Sequence, residues 1–171
     1  GHADFTAWKK FKGFNDPRGG GHFSGRITLG LVAAGVIAKK IIDPVQVMAT
    51  IIEIGGEKNY TQKLEEFKAK GDSLGGLVEC KALNIPAGLG EPFFDSVESL
   101  IAHIAFSIPS VKGIEFGSGF ASARMTGSKH NDLILEKNGK TATNHAGGIT
   151  GGITNGNELL FRVSVKPTSS I

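Results

Sequence analysis

The sequence is poor in the features that mark secreted, membrane and nucleic-acid-binding proteins. Cys80 is its only cysteine in 171 residues, so no disulfide can form within the chain. Its longest largely apolar run, residues 27–38, is shorter than the ~20 residues of a membrane-spanning helix. The net charge is only +3, without a dense basic run of the kind that binds nucleic acid or membranes. We therefore expect a protein of the reducing cytoplasm.

Several sequence motifs of known chemistry are also missing. No pair of His, Cys or carboxylate residues has the spacing of a metal site. The P-loop pattern is absent, and "GDSLGG" at residues 71–76 does not match the G-x-S-x-G turn of serine hydrolases. The start of the sequence shows no secretory signal and no initiating Met, so we expect a fragment or a processed product.

The hydrophobic periodicity predicts an α+β fold with largely antiparallel sheets. Residues 1–26 resemble a loop. The helix that follows, capped by Ser24 and ended by Pro44, is apolar nearly all round, so we expect it to be buried on both sides. A D-x-x-E capping box at Asp95 opens the clearest amphipathic helix. Helices are predicted at about 25–42, 60–70 and 95–105, and strands at about 45–54, 76–85, 111–117, 132–136 and 158–165.

Glycine is abundant, with 25 residues, and five of them fall within residues 147–156. Glycine has the largest backbone entropy cost on folding, so such a cluster requires a structural reason. One interpretation is two tight turns; another is a set of backbone N–H groups directed at an anion. The final predicted strand then leads to Lys166-Pro167-Thr168-Ser169-Ser170. A cation beside hydroxyl groups and free amides suits a phosphate monoester.

A second glycine-rich segment, "RGGGHFSGR" at residues 18–26, precedes the first predicted helix. Arg18, His22 and Arg26 surround its glycines. Helix N-termini attract anions through unpaired N–H groups and the helix dipole. The alternative is a flexible linker with solvated arginines. For His2, in "GHAD", a remnant of an expression tag is likewise an alternative to a functional role.

Taken together, these segments resemble the chorismate synthase family. The resemblance covers most of the chain in family order and is weakest over about residues 43–62. It rests on the segments "GHADFTAWKKF", "RGGGHFSGRITLGLVAAGVIAK", "GDSLGGLVECKALNIPAGLGEPFFDSVESLIA", "SIPSVKGIEFGSGF", "GSKHND" and "NHAGGITGGITNGNELLFRVSVKPTSSI".

The resemblance implies a specific activity and fold. Members of the family convert 5-enolpyruvylshikimate 3-phosphate to chorismate and phosphate by an anti 1,4-elimination in the shikimate pathway of aromatic amino acid biosynthesis. They require reduced FMN, which NADPH reduces in some members. The family fold is a β-α-β sandwich, with helices between antiparallel sheets, assembled as a homotetramer in the cytoplasm. No metal, nucleic-acid or membrane partner is implied.

The resemblance also implies roles for individual residues. His2 corresponds to the family's catalytic acid near the flavin, and Arg26 to an arginine that contacts the anionic groups of the substrate. The positions that correspond to FMN contacts are His22, Phe23, Ser24, Pro109, Ser110, Gly151, Lys166, Pro167, Thr168, Ser169 and Ser170.

The chain departs from the family pattern in two respects. The usual R-S-S-A-R-E-T reads His-Phe-Ser-Gly-Arg-Ile-Thr from His22, so His22 replaces an arginine and Ile27 a glutamate. Family members are also about twice as long, a length still within the range of single domains. We therefore expect residues 1–171 to be the central fragment of one domain and to be inactive alone. A non-catalytic assembly core and an FMN-binding fragment are the alternatives.

Overall fold

A computed structural model of the protein describes residues 3–169. His2 and Ser170 therefore lie outside the described residues. The helices are α1 (Asp4–Phe11), α2 (Thr28–Ile41), α3 (Thr61–Ala69), α4 (Val97–Ala105) and α5 (Gly127–His130). The strands are β1 (Gln46–Ile54), β2 (Gly76–Leu83), β3 (Val111–Phe116), β4 (Ile149–Thr150), β5 (Ile153–Thr154) and β6 (Leu159–Val165). Short 3₁₀ helices lie at Gly21–Phe23, Gly25–Ile27, Phe93–Asp95 and Gly119–Arg124.

Four strands form one antiparallel sheet in the order β1-β2-β6-β3, and β4 and β5 form a separate hairpin. β6 is central in the sheet and pairs with both β2 and β3. Val165, at the end of β6, pairs with Gly76 at the start of β2 and with Val111 at the start of β3. The antiparallel pairing therefore brings the segments before β2 and before β3 to the point where β6 ends.

The two faces of this sheet differ because side chains alternate along each strand. One face carries the apolar positions of β2 and β6, and α4 and the β4–β5 hairpin pack on it. Its buried core consists of Ala82, Ile149 and Leu159, with Val97, Ile101, Phe116 and Phe161 packed against them. Burial of this apolar surface is the main contribution of the sequence pattern to the fold.

The other face of the sheet carries an ion-pair network centred on Arg162. The guanidinium Nε donates to Glu79 Oε2 at 2.9 Å, and Nη1 donates to Glu115 Oε1 at 3.3 Å and to the Gly117 carbonyl at 3.0 Å. Glu79, Arg162 and Glu115 lie on β2, β6 and β3, so the network ties three strands together across one row of the sheet.

The α+β architecture with antiparallel sheets is confirmed, but three local predictions are wrong. Residues 4–11 are helical, with an acidic residue in the first turn and lysines in the last, which favours the helix dipole. The cap of α4 is Ser96, whose hydroxyl accepts from the Ser99 N–H at 3.1 Å, and not Asp95. No strand forms over 132–136; only an isolated bridge joins Ile134 to Thr141.

The prediction that the first long helix is buried on both sides is wrong for this chain. Ser24 does precede it, and its hydroxyl accepts from the Arg26 N–H, but the apolar side chains of α2 face solvent. Leu29 is 75% exposed, Val32 64% and Ile41 77%. The helix has a composition that requires partners, and residues 3–169 do not supply them.

Candidate functional site

Three segments that are distant in sequence meet at the end of β6. The Lys166 N–H donates to the Ser110 carbonyl at 2.8 Å, which attaches the turn before β3. The Ser73 hydroxyl donates to the Thr168 carbonyl at 2.9 Å, which attaches the segment before β2. We call Lys166, Thr168, Ser169 and Ser110 the strand-end cluster. Its position follows from the sheet order, because β2 and β3 both begin where β6 ends.

The strand-end cluster concentrates hydrogen-bond donors. The Lys166 ammonium contacts the Ser169 hydroxyl and donates to the Pro167 carbonyl at 3.3 Å. Ser110 and Ser169 are half-buried, whereas Thr168 is exposed. An ammonium group with hydroxyl groups beside it, partly shielded from water, is a suitable arrangement for a phosphate or another small anion.

Ser110 has an unusual backbone conformation. Its φ is +74°, in the left-handed region that residues with a Cβ rarely adopt. Such strain persists where surrounding structure holds it, and it is concentrated at functional sites. Here the bond from the Lys166 N–H holds the Ser110 carbonyl in place.

The glycine-rich segment forms the tight turns of the β4–β5 hairpin. Gly151 and Gly152, both with positive φ, make the turn between the two strands. The hairpin docks on the start of α4, where the Val97 N–H donates to the Gly152 carbonyl at 2.9 Å. A Cβ on Gly152 would lie 2.8 Å from Ser96 Cβ, so the packing there requires glycine. Gly151 itself is exposed, and within residues 3–169 no hydrogen bond joins it to the strand-end cluster.

Asp132 organises the approach to this hairpin. One carboxylate oxygen accepts from the Thr143 hydroxyl at 2.6 Å and from the His145 N–H at 2.8 Å. The other accepts from the Ala146 N–H at 2.9 Å, and His145 Nδ1 lies 2.7 Å from the Ser118 hydroxyl oxygen. The sequence alone did not reveal this role, because the partners lie 11–14 residues away with no local pattern to connect them.

Burial and hydrogen bonding shift the pKa of Asp132 in opposite directions. Burial raises the pKa, but the hydrogen bonds from Thr143, Ala146 and His145 and the nearby imidazole together lower it below the ordinary 3.8. A lowered pKa contributes stability that is present above the unfolded value and lost as pH falls through the folded value. We expect that, as the pH is lowered below 4, the urea midpoint of the unaltered chain falls more steeply than the urea midpoint of Asp132→Asn. An equal dependence on pH in both proteins would contradict this role for the carboxylate.

The predicted site residues of the second glycine-rich segment, residues 18–26, lie in a separate part of the chain. His22 and Phe23 are exposed in the 3₁₀ turn and border an open groove shared with Ala7 and Phe11 of α1. Arg26 is exposed in the next turn. No hydrogen bond among the described residues joins this region to the strand-end cluster. Of the predicted site, the structure thus brings together Ser110, Lys166, Thr168 and Ser169.

Residues 3–169 contain neither a metal site nor a membrane-spanning helix. No group of three or more His, Cys, Asp or Glu residues there is arranged to hold a metal ion. None of the helices in that range combines the length and the apolar character needed to cross a membrane.

The family model and the relatives that match this chain all belong to the same family. The family model described as "Chorismate synthase" matches residues 1–171. A chorismate synthase of Chitinophaga pinensis is 67% identical over 99% of this chain and 52% of its own length. One from Korarchaeum cryptofilum is 47% identical, over 100% of this chain and 56% of its own. The chain therefore spans about half the length of these curated relatives.

A solved structure described as "Crystal Structure of Chorismate Synthase" has the same fold. Its TM-score against this chain is 0.78 at 31% sequence identity. The match covers 85% of this chain and 56% of the solved chain. The fold expected from the resemblance is thereby confirmed.

Proposed function

Because the chain belongs to the chorismate synthase family, we propose that it forms part of an enzyme that eliminates phosphate from 5-enolpyruvylshikimate 3-phosphate to give chorismate. The observation that carries the proposal is the strand-end cluster. Two of the segments predicted to contact FMN, at Ser110 and at Lys166–Ser169, are hydrogen-bonded to each other although they lie more than fifty residues apart.

The donors of the cluster fit the phosphate of a flavin mononucleotide. Lys166 supplies the charge, and the Ser169 and Thr168 hydroxyl groups supply further donors. Ser110, whose backbone has a left-handed conformation, places its main chain at the same point. When bound, reduced FMN supplies electron density for an elimination in which no net oxidation or reduction occurs.

The remaining proposed roles fall on residues near the start of the sequence. Arg26, exposed in the turn before α2, is proposed to bind an anionic group of the substrate, and His2 to donate a proton near the flavin. His22, Phe23 and Ser24 are proposed to complete the flavin site. Among residues 3–169 no hydrogen bond joins this region to the strand-end cluster, so the complete site is proposed to require further protein.

The exposed apolar surface of α2 supports the proposal of a homotetramer. Because Leu29, Val32 and Ile41 are more than half exposed, we expect light scattering to show a mass above the 17.9 kDa of the monomer. Val32→Glu should shift the mass toward that of the monomer, since a charge disfavours burial of this surface. A sharp monomer peak for the unaltered chain would contradict the prediction.

We also propose that the protein acts in the cytoplasm and that NADPH reduces the flavin it uses.

A chimera gives the most direct test of the activity. The half of the Chitinophaga pinensis relative that matches this chain would be replaced by residues 1–171, and chorismate formation would be measured with substrate and reduced FMN. We expect turnover by the chimera and none by residues 1–171 alone. A folded chimera without turnover would contradict the proposed function, and turnover by the chain alone would contradict its expected dependence on further protein.

A further inference from the structure

The segment "GDSLGG", residues 71–76, lies directly against the strand-end cluster although its sequence matched no catalytic pattern. A Cβ on Gly75 would lie 2.8 Å from the Val165 carbonyl oxygen and 3.0 Å from Pro167 Cδ. Such distances are below ordinary van der Waals contact. Gly75 therefore allows the backbone of this segment to touch the strand end where β6 enters Lys166–Ser169.

Ser73 makes the hydrogen bond that fixes the strand end. Its hydroxyl donates to the Thr168 carbonyl at 2.9 Å, across 95 residues of sequence. The Ser73 backbone is itself held, because its N–H donates to the Asp72 carboxylate at 2.7 Å. Asp72 is exposed, and its carboxylate turns onto this N–H.

The bond to Thr168 also sets the direction of the next amide. A peptide unit is planar and trans, so its C=O and N–H point in opposite directions. With the Thr168 carbonyl held toward Ser73, the N–H of Ser169 is directed away from Ser73. Because the Ser169 hydroxyl contacts the Lys166 ammonium, one peptide orientation controls both the amide and the side chain of Ser169.

We propose that Ser73 is a positioning residue of the flavin-phosphate site: its hydrogen bond to the Thr168 carbonyl orients Ser169 and, through it, Lys166 toward the phosphate. This inference rests on the proposed function, because it takes the strand-end cluster to be where FMN binds. The Ser73 hydroxyl donates to the protein backbone, so its proposed role is to position other groups. We therefore assign the segment 71–76 as a second side of the flavin-phosphate site, next to the strand-end cluster.

The test compares FMN with riboflavin, which has the same ring system but no phosphate. Each is titrated into the chimera described above, with flavin fluorescence as the readout, for the unaltered protein, Ser73→Ala and Ser73→Thr. Loss of one hydrogen bond predicts FMN binding weaker by roughly 3- to 10-fold in Ser73→Ala. Riboflavin binding should change less than twofold, and Ser73→Thr should restore FMN binding because it keeps the hydroxyl.

Thr141→Val is the matched control for losing a hydroxyl. The Thr141 hydroxyl also donates to a backbone carbonyl, that of Thr143 at 2.6 Å, but not to the strand-end cluster. It should leave the ratio of riboflavin to FMN dissociation constants unchanged. An equal loss of FMN and riboflavin binding in Ser73→Ala would show a general structural effect and overturn the proposal.

A pair of adjacent glycines gives a second test that does not depend on Ser73. Gly75→Ala pushes against Val165 and Pro167, whereas Gly76→Ala pushes against the Glu53 carbonyl on β1 at 2.7 Å. We expect Gly75→Ala to weaken FMN binding at least 5-fold more than Gly76→Ala. Equal effects of the two substitutions would overturn the assignment of the segment 71–76 to the flavin-phosphate site. Failure of the unaltered protein to distinguish FMN from riboflavin would overturn the proposed phosphate site, and this inference with it.

Discussion

Replacing Gly117 with alanine should destabilise the chain more than any other single methyl addition considered above. Gly117 has a φ of +54°, and a Cβ there would lie 2.1 Å from the His145 carbonyl oxygen and 2.5 Å from the Gly147 N. Both neighbours are backbone atoms, so no side chain can rotate away. The left-handed conformation costs about 1–2 kcal/mol and the overpacking about 1–3 kcal/mol more. We expect a loss of about 3 kcal/mol or more in the free energy of unfolding.

Gly71→Ala is the control that separates conformation from collision. Gly71 has a similar φ of +68°, but no atom lies within 4 Å of a Cβ placed there. Only the conformational cost of about 1–2 kcal/mol should appear. Urea unfolding followed by circular dichroism measures both variants. Equal losses in the two would show that the close approach of Gly117 to the segment 145–147 does not matter for stability.

Replacing Lys166 with alanine should have the largest effect on ligand binding. Hydrogen bonds to charged groups contribute about 1.5–3 kcal/mol, and loss of the ammonium therefore predicts FMN binding weaker by roughly 10- to 100-fold. Lys166→Arg should retain part of the affinity, because it keeps the charge but changes the geometry. The measurement is a flavin fluorescence titration of the chimera.

Lys137→Ala controls for the loss of one positive charge. Lys137 is exposed in the connection that follows α5, away from β6 in the sequence. Lys137→Ala removes the same net charge as Lys166→Ala without changing the strand-end cluster, so FMN binding should stay within twofold of the unaltered protein. If both lysine variants weakened binding equally, the effect would be long-range attraction and not a local contact.

The parts of the fold that the sequence predicted are those in which local pattern and burial agree. β2 and β6 each have one face that is more apolar than the other. The structure pairs Val78 with Val163 on the apolar face and Glu79 with Arg162 on the other. The sequence also predicted α3 to within about a residue at each end. In these elements periodicity alone was sufficient, because one face of each is clearly more apolar.

The failures have identifiable physical causes. Residues 132–136 have the apolar character of a strand, but Asp132 instead binds the backbone of His145 and Ala146, and only Ile134 finds a bridge partner. For α2, the apolar composition predicted burial on both sides, but the partners are absent from residues 3–169 and the apolar side chains are exposed.

The sequence indicated only some of the residues that the structure brings together at the end of β6. The strand end at Lys166–Ser169 and the turn at Ser110 were visible as motifs through the family resemblance. Ser73 was not, because its bond to Thr168 spans 95 residues and depends on β2 lying beside β6. Such contacts follow from topology and leave no spacing in the sequence.

The most direct test is titration of the otherwise unaltered chimera with FMN and with riboflavin, followed by flavin fluorescence. The account predicts saturable binding of FMN and at least 10-fold weaker binding of riboflavin, because the strand-end cluster lies within this chain and recognises the phosphate. No binding of either, or equal affinity for both, would contradict the assignment of Lys166, Ser169 and Ser110 as a flavin-phosphate site.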